Sequence, residues 1–210
     1  MLNKKAKLAA AVISNCVVPS RRLEYIKSLQ KAGIPVHVYG LCGPHKCKDD
    51  GQDQKRPRIC YEELSAKYMF YLAFENAFCT DYVSEKLYQA LLYPWVPVVR
   101  GAVNYTGLLS EKIAVDASDM SPAELAAELN KIASNITLYA QYFQWRRRYE
   151  QTIPEYRQVD TCQICKKLRE TKESRRKATG QKWYHSLYNW WWKDSGCVHY
   201  SPATVLSTSF

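Results

Sequence analysis

From Leu8 onward, short apolar runs alternate with stretches in which apolar residues recur every three or four positions, a pattern that predicts strands followed by helices. Leu8 to Ile13 reads as a buried strand leading into a polar turn through Ser14 to Pro19. Ser20 stands as the N-cap of a helix reaching Ala32, with Leu23, Ile26 and Leu29 three apart. Gly33 stops that helix, and Ile34 to Tyr39 forms a second strand. A strand, a helix and a strand within about thirty residues is the unit from which parallel sheets are built.

Gly40 to Cys60, rich in Gly, Pro, Lys and Asp, reads as a long loop. Tyr68 to Phe74 is a third strand, followed by a helix from Asp81 to Leu92 with Val83, Leu87, Ala90 and Leu91 on one face. Val96 to Val99 and Ile113 to Val115 supply further strands. Ser121 with Glu124 makes a capping box for a helix to Ala133, and Leu138 to Glu150 continues as an aromatic-rich helix. The alternation implies an α/β fold, a Rossmann-like doubly wound parallel sheet occupying residues 1–150. Residues 151–210 change character and read as a basic tail with cysteines and the run Trp190-Trp191-Trp192.

Composition narrows the setting. Hydrophobic residues make up 47% of 210, enough for a packed core, and 30 Lys and Arg against 20 Asp and Glu give a net charge of +10. That balance suits an anionic partner: a nucleotide sugar, a nucleic acid or an acidic membrane surface. Eight cysteines and two glycosylation sequons, at Asn104 and Asn135, favour an oxidising compartment. Cys162 and Cys165 could form a redox pair, and Cys42, His45, Cys47 and Cys60 a zinc knuckle. Structural disulfides fit that compartment better. Leu8 to Ile13 is far short of the ~20 residues of a spanning helix, so the expected membrane anchor lies upstream of Met1.

In doubly wound sheets, ligands sit outside the carboxyl ends of the strands, where helix N-termini point. Two such places carry cations: Arg21 and Arg22 after the first strand, and Lys86 after the third. A cation there opposes the helix dipole unless an anion joins it, and exposed N–H groups already favour a phosphate. Each alone also reads as a solvated cation, and Glu85 alone as an acid favouring the dipole. The glycine fingerprints G-x-G-x-x-G and G-x-x-x-x-G-K-[ST] are absent, which argues against dinucleotide oxidoreductases and P-loop NTPases. No D-x-D triplet occurs, so charge neutralisation of a diphosphate falls to Arg22, Lys86 and backbone N–H groups.

The stretch Tyr71-Leu72-Ala73-Phe74-Glu75-Asn76, then Asp81-Tyr82-Val83-Ser84-Glu85-Lys86, then Pro97-Val98-Val99-Arg100-Gly101, resembles the α1,3-fucosyltransferase family. Val12 to Cys16, Tyr39 to Gly43 and Tyr142 to Arg146 extend the likeness in the same order. The resemblance implies the GDP-fucose-binding C-terminal half of a GT-B glycosyltransferase, an inverting enzyme that transfers L-fucose to a GlcNAc hydroxyl of an N-glycan. On that likeness Arg22 and Lys86 bind the diphosphate, and Glu85 holds fucose hydroxyls and steadies positive charge on the ring. Tyr71, Asn76 and Tyr82 contact nucleotide or sugar, and Asn15 helps from the first turn. The general base belongs to an N-terminal acceptor domain, which the resemblance does not reach. No cofactor is required, a divalent ion at most stimulating, and no metal site is expected. Ala77 and Arg100 depart from the family pattern.

The same likeness implies a Golgi lumenal or membrane setting, with GDP-fucose and a glycoprotein N-glycan as partners and no nucleic acid. It also implies C-terminal cysteines that either tie that end back toward the acceptor half or are left unpaired here. A non-catalytic GDP-sugar-binding form and a basic nucleic-acid-binding protein are the competing functions, and no nucleic-acid motif supports the latter.

Overall fold

The computed structural model describes residues 5–47, 58–109, 112–149, 165–166, 169 and 186–198. Five strands form one sheet in the order β2-β1-β3-β4-β5. They are β1 (Lys7–Val12), β2 (Val36–Tyr39), β3 (Tyr68–Phe74), β4 (Val96–Arg100) and β5 (Val115–Asp116). Every pairing is parallel, as the alternating pattern requires. Strand β1 is a central strand covered on both faces, which is why Ala9, Ala10 and Ala11 follow one another with no polar interruption.

Helices cover both faces. Tyr25, Ile26 and Leu29 of α1 (Arg22–Lys31) pack with Leu125, Leu129 and Ile132 of α5 (Pro122–Ser134) on Ala9, Ala11, Phe70, Leu72 and Phe74. Leu64 of α2 (Arg58–Lys67), Leu87 and Leu91 of α3 (Glu85–Leu91) and Tyr105 of α4 (Tyr105–Leu109) pack on Ala10, Tyr71, Ala73 and Val99. This is the doubly wound α/β domain expected from the pattern. The Ser121–Glu124 capping box forms in full.

Several boundaries differ, each for a local reason. Helix α1 begins at Arg22 rather than at a Ser20 cap, because Arg21 adopts a left-handed backbone (φ 48°) and the Ser20 hydroxyl donates to the Glu75 carbonyl instead. Helix α3 begins at Glu85, four residues later than expected, since Asp81 also has positive φ (58°) and Ser84 supplies the cap. Helix α2 begins within the end of the expected loop from Gly40 to Cys60, and α4 stands where no element was expected. The expected helix from Leu138 to Glu150 divides into α6 (Ile136–Gln141) and a 3-10 turn (Gln144–Arg147). Tyr139 and Trp145 belong to the cores on opposite faces of the sheet, which one straight helix could not serve.

Disulfides join Cys16 to Cys42, Cys47 to Cys60 and Cys79 to Cys197. The zinc-knuckle alternative is thereby overturned, because three of its four residues are sulfur-bonded in pairs. Cys197 is tied back to the β3–α3 loop of this same domain, not toward another half. Cys162, the other half of the redox-pair alternative, lies outside the described residues, as does most of the basic stretch after Pro154. Among the described residues, no helix is long and apolar enough to cross a membrane.

Candidate functional site

The strand order makes β1 and β3 adjacent, with β2 lying to one side and β4 to the other, so the chain reverses its winding between them. In such sheets that switch point, at the carboxyl ends of the strands, opens the crevice where ligands bind. Helix α1, which opens on Arg22, follows β1, and α3, with Lys86 as its second residue, follows β3.

Arg22 is 3% exposed and spans the crevice floor. Its Nη1 donates to the Phe74 carbonyl at the end of β3 (2.9 Å) and its Nη2 to the Asn15 carbonyl in the turn after β1 (3.1 Å). The remaining Nε is buried without a hydrogen-bond partner. Burial pulls the guanidinium below its ordinary value, while Tyr71, Glu75, Tyr82 and Glu85 pull it back. It stays charged, since a guanidinium does not release its proton in proteins. No side chain caps the α1 N-terminus.

The start of α3 is organised around Glu75, which is 1% exposed. Its carboxylate accepts from the Ser84 backbone N–H (2.8 Å), from the Ser84 hydroxyl (2.7 Å to Oε2) and from Lys86 Nζ (3.3 Å). Lys86 Nζ also donates to Ser84 Oγ at 2.7 Å. A buried carboxylate persists only with such a set of partners. Glu85, the first residue of α3, is 39% exposed at its side chain, with Oε1 3.8 Å from Lys86 Nζ. Lys86 therefore faces one buried carboxylate and one partly exposed.

The remaining predicted residues gather at the same end of the sheet, at different depths. Tyr82 is half-buried. Burial, with Glu75 and Glu85 adding, raises its phenol, which Arg22 draws down. The Asn76 carbonyl accepts from Ser20 N–H (3.0 Å), and its side-chain Oδ1 is buried with no partner. Asn15 is exposed and contributes its carbonyl. Tyr71 lies deepest, stacked on Trp95 (ring centroids 4.5 Å apart) with its hydroxyl 3.3 Å from that of Tyr61. It is a core residue beneath the crevice, in electrostatic reach of Arg22.

Glu75, Ser84, Ser20 and Arg100 lie at the same place, yet sequence reasoning gave none of them a part in the candidate site. The available signal for Glu75 was an acid closing the apolar run Phe70 to Phe74. Arg100, noted only as a departure from the family pattern, is 1% exposed. Its guanidinium lies over the rings of Tyr25 (4.2 Å) and Phe78 (4.7 Å), with Nη1 3.5 Å from the Ser20 carbonyl. Gly101 is needed for close approach: a Cβ there would lie 2.6 Å from the Tyr105 hydroxyl and 3.4 Å from Glu75 Cγ. Arg22, Arg100 and Lys86 thus lie at the same end of the sheet as the carboxylates of Glu75 and Glu85. Among the described residues, no group of three His, Cys, Asp or Glu side chains is placed to hold a metal ion.

A doubly wound domain with basic helix starts at its switch point has the arrangement that suits an anionic ligand. Comparison makes the class specific. The family model described as "Glycosyltransferase family 10 (fucosyltransferase) C-term" matches residues 2–190, and the chain belongs to that family. It is similar to Alpha-(1,3)-fucosyltransferase C of Drosophila melanogaster, 34% identical with 89% of this chain and 41% of the relative covered. Glycoprotein 3-alpha-L-fucosyltransferase A of the same organism is 35% identical, with 89% of this chain and 35% of the relative covered. The chain thus spans well under half the length of these two relatives. A crystal structure of alpha1,3-fucosyltransferase with GDP-fucose shares the fold, with a TM-score of 0.57, 19% identity, and 89% of this chain and 51% of that chain covered.

Proposed function

We propose that this domain holds GDP-fucose for an inverting α1,3-fucosyl transfer to a GlcNAc hydroxyl of glycoprotein glycans. The observation that carries the reading is the pairing of an uncapped, Arg22-lined helix start with the Glu75–Lys86–Ser84 cluster, at the β1/β3 switch point of a family 10 chain. The diphosphate lies over the α1 N-terminus, where backbone N–H groups, the Arg22 Nε–H and the Lys86 ammonium meet its charge. Asn76 Oδ1, buried and unpartnered, accepts from a nucleotide or sugar N–H or O–H, and Tyr82 closes over the same ligand. Glu85, open to the crevice, takes the fucose hydroxyls. Tyr71 supports Arg22 from below.

In the transfer, an acceptor hydroxyl attacks the anomeric carbon as the bond to GDP breaks. Negative charge grows on the departing diphosphate and positive charge on the ring. Prearranged cations and dipoles at the first, and the Glu85 carboxylate at the second, lower the barrier without reorganising during the step. The base that takes the acceptor proton belongs, on the family resemblance, to a facing domain of the GT-B arrangement, and the acceptor is chosen there. The three disulfides suit a lumenal setting, and the Golgi is the compartment proposed for the whole enzyme. Calorimetry with GDP, GDP-fucose and UDP, with and without a chelator, tests the nucleotide assignment. GDP and GDP-fucose binding unchanged by the chelator, with UDP much weaker, is expected; equal UDP binding overturns it.

A further inference from the structure

We propose that the segment Ser195–Val198 is a strap that positions the fucose-donor site by holding the β3–α3 loop; the inference rests on the donor reading of that site. The loop runs from Asn76 to Ser84, carries Asn76 and Tyr82, and delivers Ser84 to its cap on α3. The strap grips its middle at successive points. Cys197 is bonded to Cys79 across a sequence separation of 118. Val198 N–H donates to the Phe78 carbonyl (2.7 Å), and Thr80 N–H donates to the Ser195 carbonyl (2.8 Å). Phe78 and Val198 form an antiparallel bridge. Gly196 makes the close approach feasible: it has φ +60°, and a Cβ there would stand 2.8 Å from Thr80 Oγ1.

From the other side the loop is held by the fold itself. Arg100 stacks under Phe78, and Ser20 N–H donates to the Asn76 carbonyl (3.0 Å). Tyr82 N–H donates to the Cys79 carbonyl (3.1 Å), so the disulfide residue sits one hydrogen bond from a ligand-facing phenol. The loop contains Asp81 at φ 58°, a backbone a free segment would not favour, which the clamp on both sides maintains. Residues more than a hundred positions downstream of the site motif therefore set the geometry of that motif, and a loop ordered before binding costs less on binding.

The test compares two disulfide-deleted proteins with the parent. Cys79→Ala/Cys197→Ala is expected to weaken GDP-fucose binding about tenfold, the size of effect that follows from loosening a positioned loop. Cys47→Ala/Cys60→Ala, which removes a bond outside the crevice, is expected to leave affinity within about twofold although both lower thermal stability. Hydrogen exchange is read on the same samples, and the amides of Thr80, Tyr82 and Ser84 are expected to lose protection only in the first variant. Should the first variant not fold, Gly196→Val, which keeps all cysteines, is expected to reproduce the loss of protection and affinity. Unchanged affinity with loop protection gone, or equal affinity loss in both deletions, overturns the strap. A parent that binds no GDP-fucose refutes the donor reading instead, while the exchange data still decide whether the strap holds the loop.

Discussion

At the start of α1, Arg22 turns inward to the carbonyls of Phe74 and Asn15, whereas at the start of α3 Lys86 is met by the buried carboxylate of Glu75. The first helix has no side-chain cap, and the second is capped by Ser84, which also serves Glu75. Both starts place a cation where the helix dipole disfavours it. The α3 start answers with an internal anion and so stands as a finished, balanced cluster. At α1 the cation is anchored by neutral carbonyls, with Glu75 and Glu85 acting on it only at longer range, and no side chain caps the helix N–H groups. Under the proposed function, α1 receives an anion from outside, and α3 holds Glu85 and Lys86 at fixed positions beside it.

Breaking the balanced side should have the largest effect. Glu75→Ala leaves Lys86 and the Ser84 donors facing a buried void, and should cost about 3–5 kcal/mol of stability, as for other broken buried pairs. Urea unfolding measures it, and a loss below about 1 kcal/mol would mean that Glu75 is not the hub of the cluster.

Arg22→Ala should weaken GDP and GDP-fucose alike, by about 1.5–3 kcal/mol, as expected of a charge-assisted contact. Lys86→Ala should lose less affinity and more stability, because it strands Glu75. Calorimetry and thermal melts on both variants separate the two, and the reverse ranking would invert the comparison. Glu85→Gln should leave GDP affinity unchanged and remove only the increment that fucose adds. An equal loss for both ligands would return Glu85 to a simple helix-start acid.

The smallest effect is a pH dependence away from the crevice. Burial, with Arg146 adding, pulls the Lys5 amine down to about 8 from its ordinary 10.5. Below pH 8 both folded and unfolded chains are protonated there. Between about 8 and 10.5 the unfolded chain holds more protons, so stability rises with pH. Burial pushes the phenols of Tyr68 and Tyr139 up from 10.0, and they act in the opposite sense once pH passes that value. The gain in melting temperature from pH 7 to 9.5 should therefore shrink in Lys5→Met, and an unchanged gain would remove Lys5 as its source.

Much of this was legible in the residues. The central strands announce themselves as unbroken apolar runs, and Tyr68 to Phe74 is bounded as expected. The capping box at Ser121 is a local device with a local signature. Arg22 and Lys86 were singled out because helix starts are local too, and Glu85 through the family resemblance. Glu75 was passed over because its role depends on Ser84 and Lys86 folding back across nine and eleven positions, which no periodicity encodes. The late start of α3 was hidden for a similar reason: the positive φ at Asp81 is held by contacts around the loop, not by a glycine. Helix α2 was obscured by the polar stretch before it, and the break after Gln141 follows from which core each aromatic ring must join. Arg100 was noted only as a departure from the family pattern, because its contacts with Tyr25 and Phe78 join residues far apart in sequence.

The central claim is that the ligand occupies the crevice between the α1 and α3 starts. Hydrogen exchange with and without saturating GDP-fucose tests it most directly. The account predicts new protection confined to residues 15–25 and 75–86, and least change on β2 and β5 at the sheet edges. Binding with protection elsewhere, such as around Lys112, Gln144 and Arg148, and none at Arg22 or Lys86, would contradict it.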